Sequence, residues 1–298
     1  MSVLEADAIR IREVGPRDGL QVEEPLSVED RVRLIEALVA AGLRAIEAVA
    51  FVSPKAVPAM ADPDKVVALL PKLDGVTWVG LVPNRKGAEM ALAAGLDAVS
   101  VTLSVSEGYN QRNVKMGVDD SIRQLAEICE LAGEVWVEAV LSCSFGSPYE
   151  GDIAPGDVAS VAARCIEAGA TALTLADTTG MATPRRIEEV LGAVGSRVGL
   201  HLHDTRGTAL LNAHTAYRAG VRDFDTAIGG LGGSPFAEGA TGNLATEDLV
   251  YLMDDLGVET GVDLNRLLEA SKLAAELIGR PVPSRVAAAG PRLSPNTG

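Results

Sequence analysis

Eight times in succession the sequence passes from a short apolar run into a longer stretch whose apolar residues recur with helical spacing, and this alternation limits the folds open to it. Strands are predicted at Ala8–Val14, Arg44–Val49, Gly75–Val82, Ala98–Leu103, Val135–Ser142 and Ala172–Ala176. A seventh runs from Arg197 through a histidine pair, and the eighth is Asp223–Ile228. The helices that follow them are predicted at Val28–Ala41, Pro63–Leu70, Arg85–Ala94, Asp119–Ala132, Pro155–Ala168, Pro184–Val194, Thr208–Ala219 and Thr246–Leu256, with a ninth at Leu264–Ile278. Ser27 reads as the N-cap of the first helix, and Gly42, Gly95, Gly169 and Gly220 each stand where a helix should stop. Strand–helix units repeating at roughly 25 to 40 residues imply βαβ crossovers and a parallel sheet, and eight of them match a TIM (β/α)8 barrel. A doubly wound open sheet is the alternative, but no G-x-G-x-x-G follows the first strand. With no shift in composition along the chain, residues 1–298 read as a single domain. Residues 8–257 would form the barrel, 258–289 a C-terminal helical appendage and 290–298 a mobile tail.

Bulk properties exclude several classes of partner. A hydrophobic content of 47% is ample for a large core, and the formal net charge of −15 argues against nucleic acid or an anionic membrane. No apolar run is long enough to span a bilayer, and Met1 to Glu5 lack a signal pattern. Cys129, Cys143 and Cys165 show no disulfide framework, so a cytoplasmic location is expected.

In a TIM barrel the chemistry sits at the C-terminal ends of the strands, and that is where the unusual polar residues fall. Two of the chain's three histidines, His201 and His203, close the seventh strand. Residues two apart on a strand share a face, so both imidazoles should project together. Alone, such a pair fits hydrogen-bonded structural histidines as well as half of a metal site. Arg17 and Asp18 follow strand one, Glu47 interrupts the apolar run of strand two, Asp177 closes strand six, and Asn243 follows strand eight. Their joint placement favours the metal. Asp18, His201, His203 and Asn243 offer two oxygens and two nitrogens, a set suited to Mg²⁺ or Mn²⁺ with substrate oxygens completing the shell. Glu47 and Asp177 would orient those ligands or take protons, and Arg17 would stabilise a developing enolate or carboxylate oxygen. Cleavage or formation of a C–C bond beside a carbonyl is the natural chemistry.

The run Glu13-Val14-Gly15-Pro16-Arg17-Asp18-Gly19-Leu20-Gln21 resembles the opening signature of the 3-hydroxy-3-methylglutaryl-CoA lyase family, within the metal-dependent lyase-type TIM barrels that include isopropylmalate and homocitrate synthases. The similarity continues through Ala48–Lys55, Ser106-Glu107 with Asn113, Ser147–Gly151, Asp177–Gly180, His201–Thr205 and Gly239–Asp248, nearly the whole chain. The resemblance implies a divalent metal on Asp18, His201, His203 and Asn243, with Arg17 on the thioester oxygen. It also implies retro-Claisen cleavage of an acyl-CoA substrate to acetyl-CoA and acetoacetate by a homodimer.

One loop departs from the family pattern. Where similar lyases carry a cysteine that protonates the enolate carbon, Gly229-Gly230-Leu231-Gly232-Gly233-Ser234-Pro235-Phe236-Ala237 has Ser234. A thiol titrates near about 8.5 and an alcohol is a far weaker acid, so a direct exchange should slow proton transfer. Three readings follow: a lyase of the family reaction that uses Ser234, water or another acid; a sister lyase or aldolase for a different 3-hydroxyacyl-CoA or a hydroxy or oxo acid; or a metal-binding protein with little catalysis. Asn110–Lys115 could meet the phosphates of CoA or form a solvated loop, and Arg206 could touch a substrate carboxylate or pair with Asp204.

Overall fold

The computed structural model describes residues 7–233 and 242–292. Its centre is a closed barrel of eight strands in sequence order, every neighbouring pair parallel, with β1 returning to β8. The strands are β1 (Arg10–Glu13), β2 (Ala45–Ala50), β3 (Thr77–Leu81), β4 (Ala98–Ser104), β5 (Trp136–Ser142), β6 (Ala172–Asp177), β7 (Gly199–Leu202) and β8 (Asp223–Thr226). Around them lie α1 (Val28–Ala40), α2 (Pro63–Leu69), α3 (Arg85–Ala93), α4 (Glu107–Asn113), α5 (Val118–Ala132), α6 (Pro155–Glu167), α7 (Pro184–Val194), α8 (Ala209–Arg218), α9 (Thr246–Asp255), α10 (Leu264–Ile278) and α11 (Arg285–Ala289). The TIM barrel predicted from the alternation is the architecture found.

Local chemistry sets the helix ends. The Ser27 hydroxyl accepts from Asp30 N at 3.0 Å, satisfying one of the donors that a helix start leaves over. From there α1 buries Leu34, Ile35 and Leu38 against the barrel, each worth about 1.5–3 kcal/mol of apolar transfer. Several strands are shorter than the apolar runs suggest. Isolated bridges lie beyond the strand ends, among them Ala8 with Glu259 and Ala227 with Ala245.

Two of the features outside the strand–helix count follow strand ends at the rim. The polar stretch after β4 holds a short helix, α4, because the Ser106 hydroxyl caps it, accepting from Tyr109 N at 3.0 Å. Between β1 and α1, Gly15–Gly19 winds into one wide π-type turn in which Gly19 N reaches back to Val14 O (3.2 Å) and Leu20 N to Gly15 O (2.9 Å). Such turns splay consecutive side chains, and functional sites use them often. Gly15 is required here: a Cβ would lie 2.5 Å from Glu13 Oε1.

The appendage closes the helical ring. Asp263 N donates to Ala41 O at 2.7 Å, and Arg266 Nη1 to Ala40 O at 3.1 Å, fixing α10 to the end of α1. Asp248 of α9 holds α11 by accepting from the Ser284 hydroxyl (2.7 Å) and Val286 N (2.9 Å). Residues 293–298, most of the expected mobile tail, lie outside the described residues. Among those described, no helix is long and apolar enough to cross a membrane.

Candidate metal centre and active site

Ends of β1, β7 and β8 meet at one point on the rim. The π-type turn after β1 presents Asp18, β7 presents His201, His203 follows directly after β7, and the segment after β8 lies beside it through a bridge between His203 and Asn243. One ligand atom each from Asp18, His201 and His203 falls within 4.8 Å of the others, and all three residues are buried. His201 Nε2 is 3.1 Å from His203 Nε2 and 3.9 Å from Asp18 Oδ2. Asn243 Nδ2 donates to Asp18 Oδ2 at 2.7 Å and to Leu231 O at 2.9 Å, while its buried Oδ1 has no hydrogen-bond partner.

These residues fit a divalent cation. Two facing imidazole nitrogens, a carboxylate and an orphaned amide oxygen are the donor types that such an ion takes. The charge balance of the barrel interior points the same way. Asp18, Glu47, Asp225 and Glu138 are buried around only two guanidinium groups, Arg12 and Arg17, so carboxyl groups outnumber the cations beside them. Uncompensated buried charge is costly, and a dication offsets it.

Arg17 Nη1 donates to Asp18 Oδ1 at 2.5 Å, and its Nε and Nη2 side meets Glu47 of β2. The other Glu47 oxygen accepts from the Ser100 hydroxyl of β4. Gln21 Nε2 adds a 3.0 Å bond to Asp18 Oδ1. Burial works to raise the Asp18 pKa, but Arg17, both histidines and Asn243 outweigh it and hold the carboxyl down at about 2. Asp177 is treated differently. Its Oδ1 accepts from Met181 N (2.7 Å) and Ala182 N (3.0 Å), its Oδ2 is buried without a partner, and burial pushes the pKa up to about 7.

The structure therefore brings Arg17, Asp18, Glu47, His201, His203 and Asn243 together, with Asp177 on the adjoining strand end, where Asp177 of β6 registers with Leu202 of β7. Ser234 lies outside the described residues. Cys143 is buried, and burial pushes its thiol up to about 12. Arg206 Nη1 donates to Thr179 O and Gly180 O at 2.9 and 2.8 Å and anchors the loop after β6.

A pair absent from the sequence reading lies directly beneath. Asp225 Oδ2 is 3.1 Å from His201 Nδ1, and Arg12 donates to both Asp225 oxygens at 2.8 and 2.7 Å. The only sequence signal is period-two placement of basic residues at Arg10 and Arg12 and of acids at Asp223 and Asp225.

A family model described as HMGL-like matches residues 8–274. This chain belongs to the HMGL-like family. This family member is 43% identical over 289 residues to the mitochondrial hydroxymethylglutaryl-CoA lyase of Macaca fascicularis, covering 94% of this chain and 89% of that one. It is 42% identical to a Pseudomonas aeruginosa 3-hydroxy-3-isohexenylglutaryl-CoA/hydroxy-methylglutaryl-CoA lyase, with 94% and 96% coverage. A solved HMG-CoA lyase from Acinetobacter baumannii, in complex with coenzyme A and 3-methylmalate, superposes with a TM-score of 0.92 at 38% identity over 97% of each chain.

Proposed function

We propose that this HMGL-like chain is a Mg²⁺- or Mn²⁺-dependent 3-hydroxy-3-methylglutaryl-CoA lyase, releasing acetyl-CoA and acetoacetate. The observation that carries the reading is the meeting of Asp18 Oδ2 and two histidine Nε2 atoms beside the unpartnered Oδ1 of Asn243, with Arg17 hydrogen-bonded to the same aspartate. Asp18, His201, His203 and Asn243 would hold the metal. A bound dication supplies Lewis-acid polarisation of the substrate's oxygens.

The remaining work falls to side chains of this chain. Asp177, with a pKa of about 7, suits a base that removes the C3 hydroxyl proton near neutral pH. As that O–H bond breaks, C3–O becomes the ketone of acetoacetate, C2–C3 breaks, and its electron pair passes to the acetyl-CoA enolate. Arg17 keeps N–H donors beyond those given to Asp18 and Glu47, and these would hold the thioester oxygen as negative charge develops there. Glu47 keeps the guanidinium in place. A proton must then reach C2, and Ser234 stands in the loop from which the family resemblance expects it. High similarity to named lyases supports this reading over a sister lyase for another hydroxy acid or a catalytically inert metal binder. A cytoplasmic homodimer acting on a soluble acyl-CoA completes it; among the described residues the three cysteines are unpaired, as a reducing compartment would keep them.

The test is cleavage of 3-hydroxy-3-methylglutaryl-CoA with Mg²⁺ or Mn²⁺, following both products, in the native chain and in Ser234→Cys. Turnover that chelation abolishes is expected, with a faster cysteine variant if carbon protonation limits the rate. Metal-bound protein that cleaves nothing in either form sinks the assignment.

A further inference from the structure

His201 offers its lone pair to a cation only if Nε2 is unprotonated, and the atom that decides this is Nδ1. Nδ1 lies 3.1 Å from Asp225 Oδ2. Asp225 is buried, and Arg12 donates to both of its oxygens, Nε to Oδ1 at 2.8 Å and Nη2 to Oδ2 at 2.7 Å. A carboxylate gripped in this bidentate way is ionised and can only accept, so the hydrogen on His201 resides on Nδ1 and Nε2 is left to face His203 and Asp18. Arg12 is itself held from the far side. Its Nη1 meets Glu138 of β5, whose second oxygen accepts from the Thr174 hydroxyl at 2.7 Å. The connected residues come from β1, β5, β6, β7 and β8, and so run across the barrel interior.

We propose that Arg12 and Asp225 are positioning residues for the metal centre: Arg12 fixes the Asp225 carboxylate, and Asp225 fixes the tautomer and ring orientation of His201. The inference rests on the metal-dependent reading above. It assigns a function to a charged layer that touches neither substrate nor metal. A purely structural ion pair would hold the strands together without affecting what the imidazole offers.

The test is Mn²⁺ binding by titration calorimetry or electron paramagnetic resonance, with thermal unfolding of the metal-free protein measured alongside. Asp225→Asn keeps the shape but lets an amide N–H compete for Nδ1, and it is expected to weaken Mn²⁺ binding about 10–100-fold. Because it also removes one negative charge, Glu138→Gln is the control. That variant removes the same charge without touching the imidazole, and it should shift the Mn²⁺ Kd far less. Arg12→Met/Glu138→Gln keeps the net charge of the wild type yet strips Asp225 of its clamp. It should weaken Mn²⁺ binding more than Glu138→Gln does, and the buried Asp225 left without its cation should lower the metal-free unfolding temperature below that of Glu138→Gln. Equal Mn²⁺ affinities in wild type, Asp225→Asn and the double variant, or equal losses in Asp225→Asn and Glu138→Gln, overturn the positioning role. A wild-type chain that binds no Mn²⁺ overturns the metal-dependent reading instead.

Discussion

Two groups of buried carboxylates flank β1 and differ in what neutralises them. On the interior side, Asp18, Glu47 and Asp225 each contact a guanidinium, from Arg17 or Arg12. On the helix-facing side, Glu13 accepts from Gly15 N (2.7 Å), Ile228 N (2.8 Å) and the Thr246 hydroxyl (2.6 Å), while Glu247 accepts from Gly229 N (2.9 Å). No cation reaches either glutamate among the described contacts, and burial pushes Glu13 up to about 7 and Glu247 up to about 8, whereas Asp18 is held at about 2. Desolvation is common to both sides, but guanidinium partners hold Asp18 and Asp225 down, whereas backbone N–H and hydroxyl donors leave Glu13 and Glu247 raised. Asp18 and Asp225, held below the usual carboxylate range, stay ionised, and Asp18 can hold a cation. The outer pair fastens the backbone at Gly15 and at Ile228-Gly229, the two places where the chain turns toward the site.

The largest test of this division is His203→Ala, which removes an interior ligand. With a metal's share of transition-state stabilisation worth several kcal/mol, lyase activity should fall at least about a thousandfold and Mn²⁺ binding should weaken with it. Retained Mn²⁺ affinity would place the cation elsewhere. Next in size is Arg17→Met, which leaves Glu47 and Asp18 without their cation. A kcat loss of about 10²–10³-fold is expected, with a lower unfolding temperature from the unpaired buried charges. An unchanged kcat would mean that Arg17 serves only the fold.

Asp177 bridges the comparison, since it sits on the interior rim but is raised to about 7 by burial as the outer pair is. The wild-type rate should drop as pH falls below about 7, and Asp177→Asn should cost about a hundredfold at pH 8 and lose that acidic limb. Stability should move oppositely. The folded pKa lies above the ordinary 3.8, so the native state binds more protons and stability declines as pH rises from about 4 to about 7. Metal-free Asp177→Asn should therefore melt above wild type at pH 8, and a variant that melts lower there contradicts the assigned shift.

The smallest expected effect is that of Glu13→Gln on metal affinity. Its Oε1 can still accept both backbone N–H groups, and its Nε2 can donate to Thr246, whose hydroxyl then turns to Thr226 Oγ1, 2.8 Å away. Wild type should lose stability through Glu13 as pH rises from 4.5 to about 7, so the amide should match wild type at pH 5 and exceed it at pH 8. Calorimetry at the two pH values checks this, and Mn²⁺ affinity should change less than about threefold. A larger change would tie the outer cluster to the metal after all.

Strand–helix periodicity, glycine stops and N-caps are local, so the sequence by itself determined the barrel and the rim position of Arg17, Asp18, Glu47, Asp177, His201, His203 and Asn243. Helix α4 was hidden because a seven-residue polar helix has too few apolar positions for a period, though Ser106 marked its start. Asp225 and Arg12 were hidden for a different reason. They are 213 residues apart, and only closure of the barrel, pairing Arg12 with Asp225 across β1 and β8, sets one beside the other. Tertiary structure also decided which buried acids are ionised. A carboxylate's charge depends on the cation within a few ångströms of it, and the sequence lists those cations without saying which acid each will meet.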